Sequence, residues 1–221
     1  MTPERFSRLR AALTRRQPDL TVLMDSVNKS HNVSAILRTA DAVALTHLHS
    51  VSTNAAMRRH HMIAGGARRW VSVVLHPTAG FALEALRKDG FRLVAAHGGD
   101  GARDFRDVDY TRKTALVVGA EFSGLSAETL AAADELIAIP MQGLVTSLNV
   151  SVATGAILLE AERQRRAAGM YAECRLSPEE FERILFEWCY PEIAVRCRKL
   201  ARPYPPLSAD GSFTVNPLLA P

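Results

Sequence analysis

Residues 137–166 read IAIPMQGLVTSLNVSVATGAILLEAERQRR, and this run decides the architecture. Ile137-Ala138-Ile139 is a short β-branched strand, and Pro140 stops it because proline carries no backbone N–H. A glycine-bearing loop over 141–146 follows. Ser147 or Asn149 then caps a long helix, since either side chain accepts hydrogen bonds from the free N–H groups of a first turn. From 148 to 161 that helix is apolar on almost every face, which predicts burial on more than one side. Ala153, Gly155 and Ala156 are small enough to let another backbone come close, and only the end is charged, at Glu162, Arg163, Arg165 and Arg166. A polar Ser147-Leu148-Asn149 entry to a buried helix is compatible with a plain capped core helix and with a functional loop. Polar clusters at the ends of other strands favour the second.

Apolar runs at 20–24, 47–51, 71–75, 91–96 and 114–119 predict five further strands. Helical patterns at about 33–43, 79–88 and 126–133 separate them, with Gly90 ending one helix as a C′ residue and Ser126 capping another. Strands that are apolar throughout and alternate with helices predict an α/β fold with a mainly parallel, Rossmann-like sheet covered on both faces. Ligands of such sheets bind outside the carboxyl ends of the strands. Asn32, the loop from His97, Glu121 and the 141–149 loop all follow strands and are expected to converge there. Arg38, within an apolar helix, must be paired or snorkel to water. The 104–110 segment reads as an acidic surface connection.

Composition bounds the rest. The 221 residues are 48% apolar, enough for a core, and no run reaches the ~18 residues of a membrane span. The start, MTPERFSRLR, has no signal-peptide core, so a cytoplasmic protein is expected. Cys174, Cys189 and Cys197 are odd in number and not spaced as metal ligands, and His60-His61 lack acidic or thiol company, so no metal is expected. Net charge is +4 and the isoelectric point about 9.2. Basic residues cluster at 5–16, 58–69, 163–166 and 196–202, which fits a polyanion partner. The helix predicted over 4–16 carries Phe6, Leu9 and Leu13 on one face, with Arg8, Arg15 and Arg16 beside them as candidate phosphate contacts. After Gly169 the composition shifts to helices at about 177–188 and 193–200, then to a proline-rich tail expected to be extended or disordered. The resulting division is an N-terminal basic helix over 1–19, a catalytic domain over 20–168 and a helical extension with a flexible tail over 169–221.

Three motifs occur in order: Asn32-Val-Ser-Ala-Ile-Leu-Arg38-Thr-Ala, Val118-Gly119-Ala-Glu121-Phe-Ser-Gly-Leu-Ser126, and Ile139-Pro-Met141 followed by Ser147-Leu-Asn149-Val-Ser. Together, over residues 21–166, they resemble the signature motifs of the SpoU/TrmH branch of the SPOUT RNA 2′-O-methyltransferases. The segments RRQPDLTVLM, DFRDVDYT and AERQRRAAGMY extend the resemblance to the branch members that modify a D-loop guanosine, position 18, of tRNA. The resemblance implies a deep trefoil knot at the carboxyl end of the sheet, a homodimer with a shared active site, and S-adenosylmethionine as cofactor, held by Ala96, Gly119, Ile139, Met141 and Leu148. It implies that Arg38 activates the ribose 2′-hydroxyl, that Asn32 holds Arg38 or the ribose, that Glu121 fixes the surrounding loop, and that Ser147 and Asn149 shape the pocket. Arginine is effectively always protonated, so Arg38 either acts with a neighbouring RNA phosphate or orients the hydroxyl and stabilises a developing alkoxide. The RNA contacts it implies are Arg8, Arg15 and Arg16 in one region and Arg163, Arg165 and Arg166 in the other, with no role for DNA or a membrane.

The chain departs from the branch at Ala44, where relatives often have glycine, at Ala96, where threonine is frequent, and at Arg68-Arg69. Three rival functions have distinct signatures. The same reaction on ribosomal RNA or at another tRNA nucleotide would keep the motifs and change the arms. A catalytically silent RNA-binding protein would have damaged motifs, and these are intact. A nicotinamide-dependent enzyme would need glycines after an early strand, and residues 25–32 contain none.

Overall fold

Seven strands form one sheet among the described residues, and its central strands β1 and β6, buried nearly throughout, must be covered on both sides. The computed structural model describes residues 1–51, 69–99, 101–120 and 123–213. The strands are β1 (Leu20–Asp25), β2 (His47–Val51), β3 (Ser72–His76), β4 (Arg92–Ala96), β5 (Arg103–Asp104), β6 (Thr114–Gly119) and β7 (Glu135–Ala138). Their order is β3-β2-β1-β6-β4-β7-β5, and every pairing is parallel. The helices are α1 (Pro3–Thr14), α2 (Ser30–Ala42), α3 (Ala79–Lys88), α4 (Ala127–Ala132), α5 (Val150–Ala167), α6 (Pro178–Cys189) and α7 (Pro191–Lys199).

Side chains alternate between two cores, as the strand period requires. Val22, Met24, Leu116 and Val118 point to a core shared with Ile36 and Leu37 of α2 and Ile157 and Leu158 of α5. Leu23, Ala115, Val117 and Leu93 point to the other, shared with Leu83 and Leu86 of α3.

The chain divides into two compact units, residues 18–170 and residues 1–17 with 171–221. The smaller one joins the first and last helices: α1 packs on α6, burying Phe6 and Leu13. The stretch 203–213 carries no helix or strand, yet it is tied down. Tyr190 Oη donates to the Gly211 carbonyl at 2.7 Å, and Phe213 stands edge-on to Tyr190.

Some boundaries differ from the sequence reading. Helix α2 starts at Ser30, so Asn32 lies in its first turn and not in the preceding loop. The 104–110 segment is not wholly a surface connection. It contributes the edge strand β5, and Val108 and Tyr110 are buried, because two apolar residues at alternate positions point inward among the acids. Helix α5 is buried along Val150, Thr154, Ile157, Leu158 and Ala161, but Val152 and Leu159 on another face are more than half exposed. Among the described residues one apolar face of α5 is covered, not two.

Four helices end in the same way: a residue in the left-handed region at C′ and a bond from the next N–H back to the third-last helical carbonyl. Gly90, as expected, and Gly169 end α3 and α5. Alanines end the other two, Ala44 after α2 at φ +61° and Ala201 after α7 at φ +50°. Leu45 N donates to Ala40 O at 2.9 Å and Ala44 N to Asp41 O at 3.0 Å, so the cap is complete despite the Cβ. Left-handed backbone costs alanine about 1 kcal/mol or more, while added glycine freedom in the unfolded chain returns part of it. Ala44→Gly is therefore expected to stabilise by about 0.5 kcal/mol, read as a small rise in the denaturation midpoint. A fall would show the unfolded-state term to be the larger.

Candidate active site

The carboxyl ends of β4, β6 and β7 open into one cavity of about 650 Å3. Ala96 ends β4 and Gly119 ends β6, while Ile139 and Met141 follow β7 and Leu148 precedes α5; all five line the cavity, with Ser147 and Asn149. Its volume is that of a small-molecule site. Part of its lining is the backbone loop that follows β6, where Ala120 and Gly124 exchange two hydrogen bonds, at 3.1 and 2.9 Å. Gly119 lies hard against that loop. A Cβ built on it would stand 2.3 Å from the Gly124 carbonyl carbon and 2.6 Å from Leu125 N. Gly119→Ala must therefore displace the loop, since both neighbours are backbone. We expect ligand affinity at this cavity to fall at least roughly tenfold, measured by calorimetry with S-adenosylmethionine. Unchanged affinity would mean that the ligand does not touch the loop.

Of the two cap candidates, Asn149 is the one used. Its Oδ1 accepts from Ser151 N at 2.9 Å and from Ser151 Oγ at 2.6 Å. Its Nδ2 donates to Oδ1 of Asn32 at 3.2 Å, across 117 residues of chain. Asn32 is buried and Asn149 exposed, so the bond holds the start of α2 against the start of α5 at the cavity edge. Ser147 is exposed on the lining.

Arg38 projects from α2 into solvent, so it is not a buried cation needing a partner. Glu121 lies outside the described residues, as do His60, His61 and Arg68. Among the described residues no cluster of histidine, cysteine or acidic side chains is arranged to hold a metal ion. No helix among them is long and apolar enough to cross a membrane.

The six arginines read as phosphate contacts have unlike surroundings. Arg8 and Arg15 are exposed. Arg16 is not: it is 3% exposed, with its guanidinium 4.9 Å from the centre of the Trp188 ring. Arg165 is fully buried and pairs with Asp19 at 2.6 Å. It also donates to the carbonyls of Tyr110 at 2.8 Å, Asp19 at 3.1 Å and Arg112 at 3.2 Å. Neither Arg16 nor Arg165 can meet a phosphate in this arrangement, and both are corrected to structural roles. Arg163 and Arg166 are exposed, and each bonds a carboxylate of its own helix, Glu160 and Glu162. Hydrogen bonds from Arg163 hold the Glu160 carboxyl below its ordinary pKa, so a polyanion would compete with that carboxylate for Arg163.

One buried polar residue has no counterpart in the sequence reading. Asp25, the last residue of β1, turns its carboxylate onto Ser126 N at 3.1 Å and Thr129 Oγ1 at 2.7 Å. A charged residue directly after the apolar run 20–24 was the available signal.

A parallel sheet with a small-molecule cavity at its carboxyl ends, framed by Asn32, Gly119 and Asn149, meets the three-motif pattern, and the family comparison agrees. The chain belongs to the SpoU rRNA methylase family, whose model matches residues 19–159. The model of the SpoU rRNA methylase C-terminal region matches residues 163–215. The tRNA (guanosine(18)-2′-O)-methyltransferase of Escherichia coli is 48% identical over 218 residues, 98% of this chain and 95% of that protein. The enzyme of the same name from Thermus thermophilus is 48% identical over 187 residues, 85% of this chain and 96% of its own. Among solved structures, the A. aeolicus TrmH/SpoU tRNA modifying enzyme superposes with a TM-score of 0.76 at 41% identity, over 86% of this chain and 96% of that one. The SpoU methyltransferase AviRb from Streptomyces viridochromogenes, in complex with AdoMet, superposes with a TM-score of 0.57 at 30% identity, over 70% and 62%.

Proposed function

We propose that this chain transfers a methyl group from S-adenosylmethionine to the ribose 2′-hydroxyl of the guanosine at position 18, in the D-loop of tRNA. The observation that carries the reading is the cavity itself. It gathers the five residues expected at the cofactor, and the Asn32–Asn149 hydrogen bond joins the first motif to the third at its edge. Near-full-length identity of 48% to a protein named for that reaction supports the substrate.

The cofactor supplies an electrophilic methyl group on a sulfonium. What the chain must supply is a place for it and an activated, in-line oxygen. Backbone groups of the Gly119–Gly124 loop and the side chains of Ile139, Met141 and Leu148 would hold the cofactor. Arg38 orients the 2′-hydroxyl and stabilises the alkoxide character it gains as its proton passes to a neighbouring RNA phosphate, since a guanidinium is a fixed cation. Asn32 positions the ribose side of the site, Ser147 and Asn149 shape the pocket wall, and Glu121 steadies the loop that contains it. A trefoil knot through the loops at the carboxyl ends belongs to this reading.

The working form is a homodimer. Val152 and Leu159 lie on one stripe of α5, exposed together with Leu144, Val145 and Leu148 of the preceding loop. A second copy would cover that apolar row, the side of α5 that its sequence predicts to be buried. Arg8 and Arg15 on the smaller unit and Arg163 and Arg166 on the larger bind phosphates, positioning the tRNA without reading sequence. The place of action is the cytoplasm.

The family description names ribosomal RNA, and a 23S rRNA (guanosine-2′-O-)-methyltransferase from Vibrio parahaemolyticus is 35% identical over 71% of this chain. That keeps ribosomal RNA as the second reading. Labelled S-adenosylmethionine with unmodified tRNA transcripts, followed by mapping of the methylated ribose, separates the two. Label at guanosine 18 is expected. Label on ribosomal RNA alone would move the substrate and keep the chemistry, and label on neither would remove the activity.

A further inference from the structure

We propose that Asp25 is a positioning residue for the cofactor cavity, acting through Thr129 and Ser126 on the loop that forms the cavity rim. The inference rests on the reading of that cavity as the S-adenosylmethionine site.

Asp25 is paired in register with Gly119 on the neighbouring strand, where β6 ends and the loop begins. Asp25 is 3% exposed. Oδ1 accepts from Ser26 Oγ at 3.2 Å; Oδ2 accepts from Ser126 N at 3.1 Å and Thr129 Oγ1 at 2.7 Å. Ser126 Oγ in turn donates to Thr129 Oγ1 at 2.8 Å and accepts from Thr129 N at 3.2 Å. Among the described residues the carboxylate has no cationic partner. It is held by two hydroxyls and one amide, a costly arrangement for a buried charge unless every donor is aimed well.

The consequence is geometric. The loop that leaves β6 at Gly119 must re-enter the fold at Ser126, and Gly119, Ala120, Ser123, Gly124 and Leu125 all line the cavity. Gly119 and Gly124 fix its near side by backbone contact. Asp25 fixes its far side by gripping the amide of Ser126, the residue directly after Leu125. Asparagine there keeps one acceptor and no charge: its oxygen can take Ser126 N and Thr129 Oγ1 with its NH2 on Ser26 Oγ, but the charge-assisted strength of those bonds is lost.

Steady-state kinetics on full-length Asp25→Asn and Thr129→Val test this, together with direct S-adenosylmethionine binding. The expected result for each is a KM and Kd for the cofactor raised roughly tenfold, with kcat and the KM for tRNA close to wild type. The double variant should lose little more than either single one, since both weaken the same link from Asp25 to Thr129. A lowered melting temperature with an unchanged cofactor KM would make Asp25 merely structural and overturn the proposal. Thr129→Val removes one hydroxyl, so it decides the matter if Asp25→Asn does not fold. Wild-type protein that binds no S-adenosylmethionine would instead defeat the reading of the cavity, and the inference with it.

Discussion

Arg38→Ala is expected to bind S-adenosylmethionine as the wild type does and to lose methyl transfer, by roughly 10²–10³-fold or more in kcat. The side chain is exposed on α2 and is not among the residues lining the cavity, so its removal leaves the cofactor's surroundings intact. It also leaves the fold intact, because the buried face of α2 is made by Val33, Ile36, Leu37 and Ala40. What goes is a planar cation that orients the 2′-oxygen and stabilises the alkoxide character it gains as its proton passes to a neighbouring RNA phosphate, before that charge is spent in the new O–CH3 bond. A donor to developing charge acts on kcat more than on KM. Arg38→Lys then divides the two parts of the role. If charge alone matters, lysine restores most of the rate; if the fixed fork of the guanidinium is needed to aim the oxygen, it does not. Single-turnover transfer with cofactor binding measured in parallel reads both, and full turnover in Arg38→Ala would take this residue out of the mechanism.

The strands and their parallel pairing were legible because apolar runs punctuated by glycine, proline and capping residues leave few alternatives. Ser126 and Asn149 cap the helices that their positions suggest, and the loops after β4, β6 and β7 meet where parallel sheets bind ligands. Less legible was which polar residues go inside. Arg165 follows Ala161 by four residues and Leu158 by seven, so it stands on the buried stripe of α5 by simple helical period. Its charge pointed to the surface, and neither Asp19 nor the carbonyls of Tyr110 and Arg112 announce themselves as its partners in sequence. Arg16 follows Leu13 by three and is lost to the surface for the same reason. Asp25 was hidden differently: it accepts from residues 101 and 104 positions away, a relation that exists only once the sheet is assembled. The second apolar face of α5 shows the reverse. Its apolar character predicts burial, but among the described residues no element covers Val152 and Leu159, which are more than half exposed.

The burial of Arg165 carries the largest stability effect. Arg165→Ala is expected to cost roughly 3–5 kcal/mol, because it removes a fully buried guanidinium together with its ion pair to Asp19 and its bonds to the carbonyls of Tyr110 and Arg112. For a chain of this size that is a fall in melting temperature on the order of 10 °C. The guanidinium is 0% exposed, and its four acceptors lie at 2.6–3.2 Å on two segments, around residue 19 and across 110–112. It therefore fastens both the entry to β1 and the entry to β6 onto the end of α5. Exposed neighbours set the contrast. Arg163 and Arg166 sit in pairs within one helix, the kind worth only a few tenths of a kcal/mol. Their replacement by alanine should leave the melting temperature nearly unchanged while flattening the salt dependence of tRNA binding by about one unit of slope each. Arg165→Met with Asp19→Asn should be less destabilised than Arg165→Met alone, since removing both charges avoids stranding one. A melting temperature for Arg165→Ala equal to wild type, with weaker tRNA binding, would mean that the side chain leaves its pocket to grip RNA, and would return it to the role its charge first suggested.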